Sequence, residues 1–168
     1  MVREISAGGV VVRPASEGWQ VAVIEPQKDD STATSTRRGS KKWQKLLLAL
    51  PKGLVDKNEE PEQTALREVY EETGLRAIPV TKLGDVKYAY VRSWGDRERV
   101  FKIVSFYLLR YASGEIDNIA AEMRIEVKQA FWIPLDGAAQ KLTYSGEKEM
   151  IRRAQKYLAS NPNRAEEG

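Results

Sequence analysis

Glu68, Glu71 and Glu72 are spaced three and four residues apart, which brings side chains onto one face of a helix. Like charges at that spacing repel by about 0.2–0.5 kcal/mol per pair. Arg67, four residues before Glu71, is the only cation between Pro61 and Thr73 and cannot neutralise all three. Glu71 and Glu72 also fall in the last turn, where the helix macrodipole disfavours negative charge. A solvated acidic face tolerates such a cluster at some cost. A bound divalent cation removes both penalties.

What else the chain can use for chemistry is narrow. It has no histidine and no cysteine. That excludes a Ser-His-Asp triad, an imidazole base, a thiolate nucleophile and sites built on Cys or His ligands. Carboxylates, lysine, tyrosine, hydroxyls or a metal held by oxygen remain. Oxygen-only sites favour magnesium, manganese or calcium. From Gly53 to Leu75 there are seven acidic residues against two basic ones, yet the whole chain carries a formal net charge of +3. An acidic spot within a basic protein suits a metal-bridged polyanion: carboxylates hold the cation, and Lys and Arg around them meet phosphates.

The elements that must position these residues are legible in outline. Pro61 suits the first position of a helix and Gly74 the residue just past its end. On a helical wheel Ala65, Leu66, Val69 and Thr73 fall together and face a sheet. Thr64, Glu68, Glu71 and Glu72 fall on the opposite side. Apolar alternation and turn residues predict strands at 5–12, 19–25, 46–50, 77–83, 85–91, 100–111 and 131–134, with a Gly-containing turn at 93–96. The stretch 52–60 reads as turn-rich. A short helix is expected near 136–141 and a closing one over 146–159, with Met150, Ile151, Ala154, Tyr157 and Leu158 at helical spacing. Strands mixed with two substantial helices predict an α/β sandwich on a mixed sheet. The 168 residues are expected to form one domain over 1–160, with a polar and basic insertion at 26–45 and a frayed tail at 161–168. With no apolar run near the roughly 18 residues of a membrane span and no signal-peptide pattern, a cytoplasmic protein is expected.

The residues around the acidic helix resemble the signature of a known family. Gly53, Glu59, Arg67-Glu68-Val69, Glu71-Glu72 and Gly74-Leu75 match every specified position of the Nudix box, G-x5-E-x7-R-E-U-x-E-E-x-G-U, where U is a bulky aliphatic residue. Ala7-Gly8-Gly9-Val10, Leu50-Pro51-Lys52-Gly53 and Trp132-Ile133-Pro134-Leu135 are similar to segments that accompany the box in that family. The resemblance implies a Nudix-type α/β/α sandwich and a hydrolase that splits a diphosphate linkage in a nucleoside diphosphate derivative by attack of water on phosphorus. It implies magnesium, with manganese as a substitute, held by Glu68, Glu71 and Glu72 and supported by Glu59, while Arg67 orients carboxylates. The carboxylate that takes the water's proton varies in the family. Glu71 is favoured within the box, Glu126 is its rival outside, and Glu122 is a weaker third.

The substrate is less determined. Lys52, Arg92, Arg97, Arg99 and Lys102 flank the expected cleft as a set of phosphate contacts, and Tyr88 and Tyr90 share a strand face on which a purine could stack. The hairpin over 90–102 resembles that of Nudix hydrolases acting on diadenosine polyphosphates and diphosphoinositol polyphosphates. Dinucleoside polyphosphates are the first expectation, nucleoside triphosphates the second and ADP-ribose the third. A nucleotide-binding module that no longer cleaves is the alternative of a different class, although such modules usually lose box glutamates. The cations at 37–45 could grip RNA, but a solvated loop is the simpler reading, since only Trp43 is there to stack on a base.

Overall fold

The computed structural model describes residues 2–27, 46–92, 95 and 97–162. The expected insertion and tail lie largely outside the described residues, as does most of the turn at 93–96.

The sheet is built around β1 (Val2–Ala15), where Val10, Val11 and Val12 are all fully buried although successive side chains point to opposite faces. An unbroken apolar run marks a strand covered on both sides. β1 runs parallel to β5 (Arg99–Ser113), from Val2 opposite Val100 to Val12 opposite Arg110. On its other side it pairs antiparallel with β2 (Gly18–Pro26) and, nearer its start, with β3 (Lys52–Leu54). With β4 (Arg76–Val91) and β6 (Val127–Pro134) outermost, the order is β4-β5-β1-β2-β6, a mixed sheet as expected.

One face is covered by helix α1 (Pro61–Thr73), whose Ala65 and Val69 pack on Ala7, Val11, Ala22 and Leu109. Short helix α2 (Ala138–Lys141) and helix α3 (Ser145–Ser160) cover the other, where Met150, Ile151, Ala154 and Leu158 meet Val10, Phe106 and Leu108. The α/β/α layering follows. At the start of α1, Gln63 accepts the Glu60 backbone N–H at 3.0 Å. At its end Gly74 adopts the left-handed conformation (φ 83°) and donates to the Tyr70 carbonyl.

Three expectations need correction. Residues 46–50 form no strand of the sheet: Ala49 makes an isolated antiparallel bridge to Ile24, and the rest of the segment joins no ladder. The turn-rich reading of 52–60 missed β3, whose three residues are too few to show a period. The strands expected at 77–83 and 85–91 are one strand, β4, bent by irregular pairing at Pro79/Thr81 and Lys82/Gly84. Bulges disturb the apolar alternation without ending the ladder.

The two covered faces are tied together near the site by a buried ion pair. Glu147, in the first turn of α3 and 4% exposed, accepts the Leu50 N–H at 2.8 Å and the Lys52 ammonium at 2.7 Å. Glu147→Ala would leave the Lys52 ammonium and the Leu50 amide without their acceptor, and is expected to cost about 3–5 kcal/mol of stability. Urea unfolding measures this; a loss below about 1 kcal/mol, the scale of a surface pair, would show that the tie does not hold the layers.

Candidate active site

The box residues are assembled by three elements: β3, the loop after it, and α1. One guanidinium organises them. Arg67 donates from Nε and Nη2 to the two oxygens of Glu59 at 2.8 and 3.0 Å, and from Nη1 to Glu68 at 2.9 Å and to both oxygens of Glu71 at 3.3 Å. Nη2 also reaches the Leu54 carbonyl at 3.0 Å, and Asp56 lies 3.4 Å away. A planar fork of five donors serves this many acceptors where an ammonium would not. Glu59 is pulled down to about 2, chiefly by its hydrogen bonds from Arg67, against the cost of burial and with help from Thr64 and the Asp56 N–H. The loop is thereby fastened to the helix.

The helical wheel placed the glutamates on the face away from the core, and there the structure differs. Glu68 and Glu72 are 8% and 6% exposed, and Thr64 is fully buried, while Glu71 stays partly exposed. The second face of α1 is covered by β3 and its loop. A Cβ on Gly53 would overlap the Glu68 carboxylate, so only glycine lets the strand lie against that group. Glu72 receives the Lys52 backbone N–H at 2.8 Å. Burial, with Glu68 and Glu126 nearby and against the pull of that N–H and of the Lys52 charge, raises Glu72 to about 8. Burial likewise raises Glu68, opposed by Arg67 and reinforced by Glu71 and Glu126.

These carboxylates open on a cleft of about 440 Å³ whose walls include Lys52, Glu68, Glu72, Lys102, Glu126 and Tyr144. Glu126 arrives from the turn between a 3-10 segment (Ala121–Ile125) and β6, more than fifty residues beyond α1. A second hollow of about 640 Å³ adjoins the first, shares Lys52 and Tyr144 as walls, and is also lined by Val86, Tyr88, Phe106 and Glu147. The structure thus brings Glu68, Glu72 and Glu126 to one cavity. Glu59 and Glu71, both bound to Arg67, and the exposed Glu122 lie outside the walls of both hollows.

The expected cation set is only partly assembled. Lys52 and Lys102 line the cleft, but the Lys52 ammonium is held by Glu147 and lies 5.3 Å from the Tyr144 ring centre. Burial opposes charge on Lys52, yet Glu147 outweighs it and raises its pKa. For Lys102 burial prevails, so its pKa falls despite Glu4. Arg99, three residues before Lys102 on a regular strand, points to the opposite face, and Arg97 is exposed. Arg92 is half-buried, with a buried Nε that has no partner among the described residues. Tyr88 and Tyr90 share the Lys102 face, with ring centres 6.3 Å apart, but the Tyr90 hydroxyl donates to Glu4 at 3.1 Å. Tyr144 and Glu147 escaped the sequence reading. Their only signal was a place at the start of the closing helix, which says nothing of what lies beneath it.

Among the described residues no three carboxylates converge tightly enough to hold an ion as they stand. In kind, the donors fit a hard divalent cation: every candidate ligand is a carboxylate oxygen. Burial raises both Glu68 and Glu72 against the pull of Arg67 and Lys52, and a divalent cation beside them would favour their charged forms.

The NUDIX domain pattern matches residues 17–154. A Mycobacterium tuberculosis chain bearing the mutator-protein name MutT4 is 35% identical over 159 residues, covering 94% of this chain and 56% of its own. The asymmetrical bis(5'-nucleosyl)-tetraphosphatase of Rattus norvegicus is 31% identical over 114 residues, 67% of this chain and 72% of that one. The chain spans about half the length of the curated relatives it matches most extensively. In fold it resembles the Caenorhabditis elegans Ap4A hydrolase binary complex, with a TM-score of 0.61 at 17% identity over 94% of this chain and 98% of that one. No helix among the described residues is long and apolar enough to cross a membrane. With a complete box, the α/β/α layering and a domain match over most of its length, the chain belongs to the Nudix hydrolase family.

Proposed function

We propose that this protein is a metal-assisted pyrophosphohydrolase acting on dinucleoside polyphosphates. The observation that carries the reading is the adjacency of two hollows: a carboxylate cleft shares its Lys52 and Tyr144 walls with a larger groove lined by Tyr88 and apolar residues. A base stacked near Tyr88 and Tyr144 leaves its phosphates pointing at Glu68, Glu72 and Glu126. Similarity to the rat tetraphosphatase over two thirds of the chain supports the same substrate class.

Glu68, Glu71 and Glu72 would hold magnesium or manganese, with Glu59 supporting them through Arg67. The cation supplies Lewis acidity that neutralises charge on the reacting phosphate. The chain's own groups do the rest. Lys102, its charge weakened by burial, faces the cleft and gains from an anion beside it. Arg67 keeps Glu59, Glu68 and Glu71 from spreading apart between turnovers. Glu126 lines the cleft with no hydrogen bond from Arg67, so it is better placed than Glu71 to take a proton from attacking water at its carboxylate. Water attacks one phosphorus, the bridging oxygen leaves with its electron pair, and the proton passes to Glu126.

A second reading, hydrolysis of nucleoside triphosphates, is favoured by similarity to the 8-oxo-(d)GTP phosphatase of Mycolicibacterium smegmatis, 29% identical over 158 residues and 88% of this chain. ADP-ribose ranks third. The intracellular setting remains an expectation of the same reading.

A substrate panel with magnesium and with manganese, its products resolved by chromatography, decides among these. Dinucleoside tetraphosphates are expected to show the highest kcat/KM; a clear preference for a triphosphate or ADP-ribose rejects the long-substrate reading. Glu71→Gln and Glu72→Gln are each expected to lower kcat at least about a hundredfold. The glutamine at 72 can still accept the Lys52 N–H, so the fold should survive its burial; near-normal turnover in both variants would favour a non-cleaving binding module. Lys102→Ala is expected to lower kcat/KM for tetraphosphates about tenfold more than for ADP-ribose, the scale of one charge-assisted contact. Equal losses on both substrates would count against Lys102 as a remote phosphate contact.

A further inference from the structure

Glu126 stands on a short irregular turn, yet its position is closely determined. Its N–H donates to the Met123 carbonyl at 3.0 Å, and its own carbonyl accepts the Gln27 N–H at 2.9 Å. The Gln27 side chain in turn donates to the Arg124 carbonyl at 3.0 Å. The Arg124 guanidinium then reaches across the loop. It donates to the Asp117 carboxylate at 2.8 Å, to the Asp117 carbonyl at 2.7 Å and to the Lys128 carbonyl at 3.2 Å. Arg124 therefore grips the chain on the far side of Glu126.

Asp117 carries the connection back to α1. Its backbone is left-handed (φ 73°), a conformation Asp tolerates better than most residues. In it the Asp117 N–H donates to the Thr73 carbonyl at 2.8 Å, and Thr73 directly follows Glu72. The same carboxylate oxygen that binds Arg124 also accepts the Ala130 N–H of β6 at 2.8 Å. One residue thus joins the end of the box helix, the strand after Glu126 and the arginine that spans the turn. Gly74 makes the junction close: a Cβ there would stand 2.6 Å from the Asn118 carbonyl oxygen.

Stability does not account for this arrangement. The Arg124 and Asp117 side chains are 38% and 42% exposed, and a pair that exposed adds little to folding. Its several bonds from one guanidinium fix direction as well as adding energy.

We propose that Asp117 and Arg124 are positioning residues, which set where Glu126 stands relative to Glu72. This rests on the reading of Glu126 as the group that takes the proton from water. Neither side chain bonds to Glu68, Glu71 or Glu72, and the Asp117 contact with α1 is through its backbone, so the side chains act on Glu126 through the turn.

A double-mutant cycle on the full chain tests it, with a dinucleoside tetraphosphate or the best substrate of the panel. Asp117→Ala and Arg124→Ala are each expected to lower kcat about tenfold with KM nearly unchanged, and to have less than about a twofold effect once Glu126→Gln is present. Asp117→Asn, which keeps the acceptor for Ala130 and tolerates the left-handed backbone, should restore most of the loss. Manganese affinity, read by electron paramagnetic resonance without substrate, should stay within about threefold of the parent in the Asp117 and Arg124 single variants, whose side chains bond to none of the box carboxylates. Melting temperature identifies any variant that fails to fold, and Arg124→Ala then carries the cycle alone. Losses that multiply in full on top of Glu126→Gln, or that come with lost manganese binding, overturn the positioning role while leaving Glu126 its part. Parent-like turnover in Glu126→Gln itself removes the reading beneath, and the inference falls with it.

Discussion

The site depends on holding like charges together before any cation arrives. Glu59, Glu68 and Glu71 all carry charge that repels its neighbours, and a single guanidinium draws on all three. Arg67 reaches the loop and the helix at once, so the electrostatic cost of the box and the fastening of its loop have one solution. The burial of Glu68 and Glu72 follows from it. Once the loop lies against α1, β3 covers the second face of the helix, and Gly53 makes room for the carboxylate beneath.

The same constraint explains why the fold is double-sided. Carboxylates this buried need rigid walls, and α1 obtains them by packing on the centre of a sheet covered by α3 on its other face. The Lys52 to Glu147 pair then couples the layers where the cleft begins. Lys52 contributes twice, its amide to Glu72 and its ammonium to Glu147. A residue expected to meet phosphate is therefore also part of the frame.

Much of this was legible in the sequence. The box spacing, Pro61 and Gly74 marked the helix, and the apolar runs marked most strands, because those signals depend on neighbours in the chain. Burial of Glu68 and Glu72 was not legible: a helical wheel distinguishes faces but cannot see β3, whose three residues carry no period. Glu126 could be named from its place six residues before Trp132, whereas Asp117 and Arg124 could not, since apart from each other their partners are backbone groups at Thr73, Lys128 and Ala130. The cation set is only partly assembled for a related reason. Arg99 and Lys102 are close in sequence, but a strand sends residues three apart to opposite faces.

The irregular pairing in β4 has a consequence beyond bending a strand. β4 is the outermost strand of the sheet beside β5, and at sixteen residues it is the longest. A flat edge of that length would offer an open row of amide and carbonyl groups to any passing chain. Three register shifts, a proline at 79 with no N–H to offer, and the lysines at 82 and 87 interrupt that row. The edge that carries Tyr88 beside the groove is thereby guarded against templating the addition of foreign strands.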